Sequence, residues 1–326
     1  MDQVKRSFEI RRSVAVVGST AGGKSALASA LASAYSGEII SVDSMQVYRG
    51  FDIGTAKPTA AERAAVPHHM IDICAPEENF SAAEFAAMAL ACAEDISARG
   101  RLPIFCGGTG LYLDCVLRGG APEETGGDVR ISRALSRDLD EMGAAALHAR
   151  LKAVDPVSAA AIHENNVRRV RRALEIYYVT GRPKSQWDRE SRQRPAAVDL
   201  YVIGLAYHNR ALLYARIDRR VDEMISAGLL DEVRRLYESG ALEKNRTAAG
   251  AIGYKELVPV LLGTCTLEEA AVALKTATRR YAKRQITWFG AKDYVHPLFC
   301  DTPEGEMRAF EDIFAECSEM LRQNGF

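Results

Sequence analysis

Along the first third of the chain, short apolar runs alternate with stretches whose apolar positions recur at helical spacing. Residues 13–17 (Ser-Val-Ala-Val-Val) form an unbroken apolar run that ends at Gly18, the mark of a buried strand. Leu27, Leu31 and Tyr35 then recur every fourth position, which predicts a helix over 24–35. A second strand is predicted at 38–42, an amphipathic helix at 82–98 and a third strand at 102–106. Strands that alternate with helices predict an α/β fold with a doubly wound parallel sheet. The pattern changes after about residue 117. Residues 119–128 are rich in Gly, Pro and Glu and read as a linker, and helices follow at 129–151, 156–162 and 166–180. The polar stretch from Ser185 to Pro195 predicts no element. Strand character returns at Tyr201–Leu205, 209–289 is mainly helical, and Tyr294–Phe299 suits a last strand. The expected organisation is a discontinuous α/β core, 1–117 with 200–326, interrupted by an inserted all-helical domain at 118–199.

With 326 residues the chain can bury the cores of two such domains. It has no run of eighteen apolar residues, so no transmembrane helix is expected, and the charged stretch Met1–Arg12 lacks the apolar region of a secretory signal. The seven cysteines are scattered without Cys-x-x-Cys spacing, which suits a reducing cytosol and argues against a zinc site or disulfide framework. A net charge of −1 argues against a nucleic-acid partner, but the charge is unevenly placed. Arg168, Arg169, Arg171 and Arg172 fall together, as do Lys275, Arg279, Arg280, Lys283 and Arg284, while Glu123, Glu124 and the C-terminal stretch are acidic. Each basic cluster alone reads equally as a solvated helix face. Together, on a neutral protein, they are compatible with docking one structured RNA.

The sharpest chemistry is Gly18-Ser19-Thr20-Ala21-Gly22-Gly23-Lys24-Ser25, which fits G-x-x-x-x-G-K-[ST] between a predicted strand and a predicted helix. Such a P-loop core aims backbone N–H groups inward and adds the positive end of a helix dipole. Lys24 supplies a point charge, and the Ser25 hydroxyl can ligate Mg²⁺. The loop specifies an oligophosphate, usually a nucleotide such as ATP or GTP, without saying which. Asp43 ends the second strand, and ligands of open parallel sheets lie beyond the carboxyl ends of strands, so Asp43 should neighbour the loop. It could hold Mg²⁺ through water, cap a turn or act as a general base. Gly107-Gly108-Thr109-Gly110 ends the third strand and permits close backbone approach to a ligand. Adjacent His68 and His69 read as structural, since no partner for a catalytic histidine is identifiable.

Taken together these stretches resemble the tRNA dimethylallyltransferase (isopentenyl-tRNA transferase) family, bacterial type. The phosphate loop is close to the family's GPTAxGK[ST], and Asp43 to Tyr48 followed by Arg49-Gly50-Phe51-Asp52-Ile53-Gly54-Thr55-Ala56-Lys57-Pro58 matches a long family stretch. Pro67 to Asp72, Phe80 to Phe85, Gly107 to Tyr112, Arg216 to Val221, Ile252 to Glu256 and Lys283 to Phe289 match as well, in the right order over nearly the whole chain. The resemblance implies that the P-loop holds the pyrophosphate of dimethylallyl diphosphate and not ATP, with Lys24, Mg²⁺ and Arg220, and Arg216 as a second candidate, stabilising the leaving group. It implies Asp43 as the base for the adenine N6 amine and Thr109 beside the target base.

The resemblance further implies a target adenosine 3′ of the anticodon, flipped out of its stack. The implied RNA contacts are Asp43, Ser44, Met45, Gln46, Thr109, Ile252, Gly253, Tyr254, Lys255, Lys283, Arg284, Gln285 and Trp288. Arg168, Arg169, Arg171 and Arg172 of the inserted domain would grip the anticodon stem-loop. A cytoplasmic monomer acting away from membranes is expected.

Ser19 replaces the family's usual proline, Gly250 a common glutamine and Gly290 a frequent Arg or Lys, the last two putting an RNA contact each in doubt. The competing readings are a small-molecule P-loop kinase, which leaves the inserted domain unexplained, and an adenylate isopentenyltransferase, which needs no anticodon-binding insertion. A non-catalytic RNA-binding module is at odds with the intact Lys24, Ser25 and Asp43.

Overall fold

The computed structural model describes residues 12–119, 128–193 and 195–326. Most of the predicted linker, with Glu123 and Glu124, and the stretch before Arg12 lie outside the described residues. The chain divides into two compact units, Met1–Leu117 with Val198–Phe326, and Arg118–Ala197.

In the first unit the order is β1 (Ser13–Gly18), α1 (Lys24–Ala34), β2 (Gly37–Val42), α2 (Ala60–Ala65), β3 (His68–His69), α3 (Ala82–Ala98), β4 (Leu102–Gly107) and α4 (Gly110–Leu117). The second unit holds α5 (Val129–Val154), α6 (Pro156–Ala161), α7 (Val167–Thr180) and α8 (Lys184–Gln193). The first unit resumes with β5 (Leu200–Ala206), α9 (Arg210–Ser226), α10 (Leu229–Glu238), α11 (Ala241–Lys244), α12 (Arg246–Ala249), α13 (Tyr254–Leu261), α14 (Leu267–Gly290), β6 (Val295–Phe299) and α15 (Phe310–Gln323).

The strands form one sheet in the order β3-β2-β4-β1-β5-β6, and every pairing is parallel. Side chains alternate across it. Val14 and Val16 of β1 face Leu27 and Leu31 of α1 and Cys317 and Leu321 of α15, whereas Ala15 and Val17 face Phe85 and Ala89 of α3 and Leu113 of α4. Burial on both faces is why these strands read as continuous apolar runs. Because β2, β4 and β1 are neighbours, the residues that follow them, Asp43, Gly108 and Ser19, emerge side by side at one edge.

The helical unit packs Leu135, Leu147 and Leu151 of α5 against Val170, Ala173 and Leu174 of α7. α5 bends at Gly143, where φ is 82°. α8 covers most of the polar stretch for which the sequence predicts no element. Its apolar positions are too few to show a periodicity, and it is fastened by the ring of Trp187, over which the Arg182 guanidinium lies 4.1 Å away, and by Arg182–Glu190 and Lys184–Asp188 ion pairs. Among the described residues no helix is long and apolar enough to cross a membrane.

Candidate active site

The P-loop between β1 and α1 has the local structure of an anion cradle. α1 begins after Gly23, which has no side chain to cap it, and its first turn holds no acidic residue. Its leading N–H groups are thus available to an anion. The loop is braced from three directions. Arg216 Nε of α9 donates to the Ala21 carbonyl at 2.9 Å, Tyr207 Oη to the Gly22 carbonyl at 3.1 Å, and the Thr20 amide to Gln285 Oε1 at 2.8 Å. Lys24 Nζ donates to the Ser19 carbonyl at 2.6 Å. Burial lowers the Lys24 pKa to about 8, and nearby Arg220 adds to the effect while Asp43 opposes it.

Asp43 leads the turn after β2. Its Oδ1 accepts the Met45 amide at 2.8 Å and the Gln46 amide at 3.3 Å, so the turn-forming reading holds for one oxygen. The other oxygen has no hydrogen-bond partner among the described residues. Thr109, after β4, accepts the Ser44 amide at 3.1 Å, and its own amide donates to Val42 O at 3.2 Å, which locks the two strand ends together. Gly108 has a steric reason to lack a side chain, since a Cβ there would sit 2.1 Å from Gln285 Nε2. That nitrogen donates to Gly108 O at 3.0 Å. Gln285, buried on α14, therefore ties the phosphate loop to the glycine turn.

Two adjoining cavities meet at this edge. An inner one of about 150 Å³ is lined by Lys24, Ser25, Asp43, Gln46, Arg220 and Tyr281 among others. An outer one of about 760 Å³ shares Lys24, Ser25 and Arg220 and adds Arg216, Arg219 and Arg63. Arg220 is pulled below the usual arginine pKa by burial, with Asp43 opposing, and it stays cationic because a guanidinium does not lose its proton in a protein. The structure thus brings together the Gly18–Ser25 loop, Asp43, Thr109, Arg216 and Arg220, expected from scattered sequence positions.

Three residues expected at the RNA have their polar groups engaged inside the protein. Gln285 bridges as described. Gln46 accepts from Ser41 Oγ at 2.7 Å and donates to the Thr55 and Ala56 carbonyls at 3.1 and 3.3 Å. Tyr254 is 1% exposed and donates to Glu232 Oε1 at 2.7 Å. Lys255, Lys283 and Arg284 are exposed, Met45 and Ile252 pack against the core, Gly253 is buried, and Trp288 is half-buried against Gly110. On the basic face of α14, Lys275 and Arg279 are neutralised by Asp222 and Asp218 of α9. In the helical unit Arg168 and Arg169 are exposed, Arg172 pairs with Glu175, and Arg171 donates to Ser132. Gly290 is exposed with open space around it.

Sequence reasoning missed Tyr281, whose phenol lines the inner cavity within reach of Thr109 and is held up to about 12 by burial. A tyrosine on a helix carries no signal of its own. His69 is structural, its Nε2 2.7 Å from buried Glu38. His68 is held by the Val66 carbonyl at 2.7 Å and also lines the inner cavity, with its pKa lowered by burial.

A family model described as IPP transferase matches residues 46–292. The tRNA dimethylallyltransferase of Geobacillus thermodenitrificans is 49% identical over 309 residues, 95% of this chain and 97% of that protein. That of Roseiflexus sp. is 49% identical over 296 residues, 91% of this chain and 95% of that protein. Among solved structures, the full-length tRNA isopentenylpyrophosphate transferase of Bacillus halodurans superposes with a TM-score of 0.70 at 43% identity over 96% of both chains. A eukaryotic dimethylallyltransferase acting on tRNA superposes with a TM-score of 0.76 at 32% identity, over 89% of this chain and 74% of that one. With matches of this depth running through both of its units, the chain belongs to the IPP transferase family, alongside the tRNA dimethylallyltransferases.

Proposed function

We propose that this protein transfers the dimethylallyl group of dimethylallyl diphosphate to N6 of the adenosine 3′-adjacent to the anticodon, tRNA position 37, and releases pyrophosphate. The observation that carries the reading is that Lys24, Arg220 and Asp43 line one small cavity at the end of a phosphate loop. Breaking the allylic C–O bond builds negative charge on the departing diphosphate, and the α1 amides, Lys24 and Arg220 meet that charge where it develops. The N6 amine attacks the allylic carbon, and its proton passes to the unengaged oxygen of Asp43. The Asp43 turn is fixed by two amides and by the Thr109 lock, so the base needs little reorganisation.

The Ser25 hydroxyl and the Asp43 carboxylate line the same cavity and are hard oxygen donors. They fit Mg²⁺, which takes few protein ligands and completes its shell from water and phosphate. Among the described residues no cluster of three or more His, Cys, Asp or Glu forms an all-protein cage. Ser25 would hold the ion, which would supply charge neutralisation at the diphosphate.

Lys283 and Arg284 of α14 and Arg168 and Arg169 of α7 are the exposed cations that suit phosphates of the anticodon stem-loop. Separate incubations of the enzyme with tRNA or AMP, each with dimethylallyl diphosphate and Mg²⁺, test the reading. Prenylated adenosine in tRNA alone is the expected product. Prenylation of AMP but not tRNA, or ATP consumption without any prenyl transfer, would overturn it.

A further inference from the structure

The loop from Asp52 to Pro58 forms a wall common to both cavities. Ala56, Lys57 and Pro58 line each of them, Asp52 and Ile53 the outer and Thr55 the inner. Its second half is fastened locally. Lys57 Nζ donates to Tyr48 O at 2.9 Å, Asp52 Oδ1 at 2.7 Å and Asp72 Oδ1 at 2.6 Å, and Gln46 holds the Thr55 and Ala56 carbonyls.

The first half is held differently. Three successive amides of the loop point at one carboxylate from α10. Glu232 Oε2 accepts from the Asp52 amide at 3.1 Å and the Ile53 amide at 2.7 Å, and Oε1 accepts from the Gly54 amide at 3.1 Å. The Tyr254 hydroxyl donates to Oε1 as well, at 2.7 Å. Gly54 is pressed so close that a Cβ there would lie 2.6 Å from Tyr254 Oη.

Glu232 is 1% exposed and forms no salt bridge among the described residues. A buried carboxylate without a cation is costly unless every lone pair is used. Here all four neighbours are donors, and only an acceptor-only group satisfies them together. The hydrogen bonds of the carboxylate go to the cavity wall and to Tyr254.

We propose that Glu232 is a positioning residue for the diphosphate donor: by filling the amide nest of Asp52, Ile53 and Gly54 it fixes the wall that faces the phosphate cradle. This rests on the reading of that cradle as the donor site. A wall set in place beforehand lowers the ordering cost of binding, so the effect belongs to donor affinity.

Glu232→Gln keeps the shape but sets an NH₂ group against the loop's donors. Tyr254→Phe removes one donor and leaves charge and amides intact, so it covers the case in which the first variant does not fold. Inorganic pyrophosphate with Mg²⁺ is titrated calorimetrically onto wild type and both variants, and donor KM, tRNA KM and kcat are measured. Pyrophosphate Kd and donor KM are expected to rise about fivefold or more in Glu232→Gln and less in Tyr254→Phe, with tRNA KM and kcat within about twofold of wild type. Unchanged pyrophosphate affinity and donor KM in the folded variants would overturn the proposal, as would a loss spread equally over donor, tRNA and kcat. Wild-type protein that fails to bind pyrophosphate would instead overturn the underlying donor-site reading, and the proposal with it.

Discussion

Gln285→Leu is the substitution whose consequence follows most directly from geometry. The side chain is 5% exposed. Its oxygen receives the Thr20 amide at 2.8 Å and its nitrogen donates to the Gly108 carbonyl at 3.0 Å. Leucine fills similar space but leaves one donor and one acceptor unpaired, each costing about 1–3 kcal/mol. Additional apolar burial returns about 1 kcal/mol, so the net loss is about 1–5 kcal/mol. For a unit of this size that corresponds to a fall in Tm of about 2–20 °C. Thermal unfolding by circular dichroism reads it directly, with the exposed Lys283→Leu on the same helix as the control. Below the transition, donor KM rises because the phosphate loop has lost its anchor to α14. A Tm within about 2 °C of wild type, hence a change below about 1 kcal/mol, would refute the anchoring argument.

Three further outcomes follow. Asp43→Asn keeps an oxygen for the Met45 and Gln46 amides while removing the base, so kcat falls about 10²–10⁴-fold with an unchanged melting curve; turnover near wild type would exclude Asp43 as the proton acceptor. Lys24 is cationic below its lowered pKa of about 8 and loses that charge as pH rises through it. Donor kcat/KM, which reports the free enzyme, therefore falls on the alkaline side of that value, and a profile flat through it would contradict the assignment. Arg168→Ala with Arg169→Ala removes two exposed cations of α7, so tRNA affinity drops and the slope of log K against log salt flattens by about 0.7–0.9 for each RNA phosphate no longer neutralised. An unaltered slope would turn that face away from RNA.

What the sequence discloses here is the chemistry that is local. The phosphate loop, its strand and its helix are contiguous, so spacing alone finds them. Asp43 and Gly107–Gly110 are found because each ends an apolar run, and the adjacency of β2, β4 and β1 supplies the rest. Contacts between distant segments are silent. Gln285 meets Thr20 across 265 residues, and Glu232 meets Asp52 across 180; in the sequence one is a polar residue of a basic helix and the other an ordinary helical glutamate. Tyr254 is expected at the RNA only through the family resemblance, yet Glu232 supplies the acceptor that allows it to be buried. α2 is a miss of another kind. Its Thr59–Glu62 capping box is a readable start signal, but the helix is only six residues long and has no buried residue to set a period. β3, two residues at the edge of the sheet, is too short to show one at all.

The relation between the diphosphate cradle and Asp43 is tested most directly by a crystal structure with a non-reactive thio-analogue of dimethylallyl diphosphate, Mg²⁺ and an anticodon stem-loop. The diphosphate is expected on the Gly18–Ser25 amides beside Lys24 and Arg220. The flipped adenine N6 is expected within hydrogen-bond reach of the Asp43 oxygen that the Met45 and Gln46 amides leave unused. A diphosphate bound elsewhere, or Asp43 remote from the base in that ternary complex, would contradict the proposed chemistry.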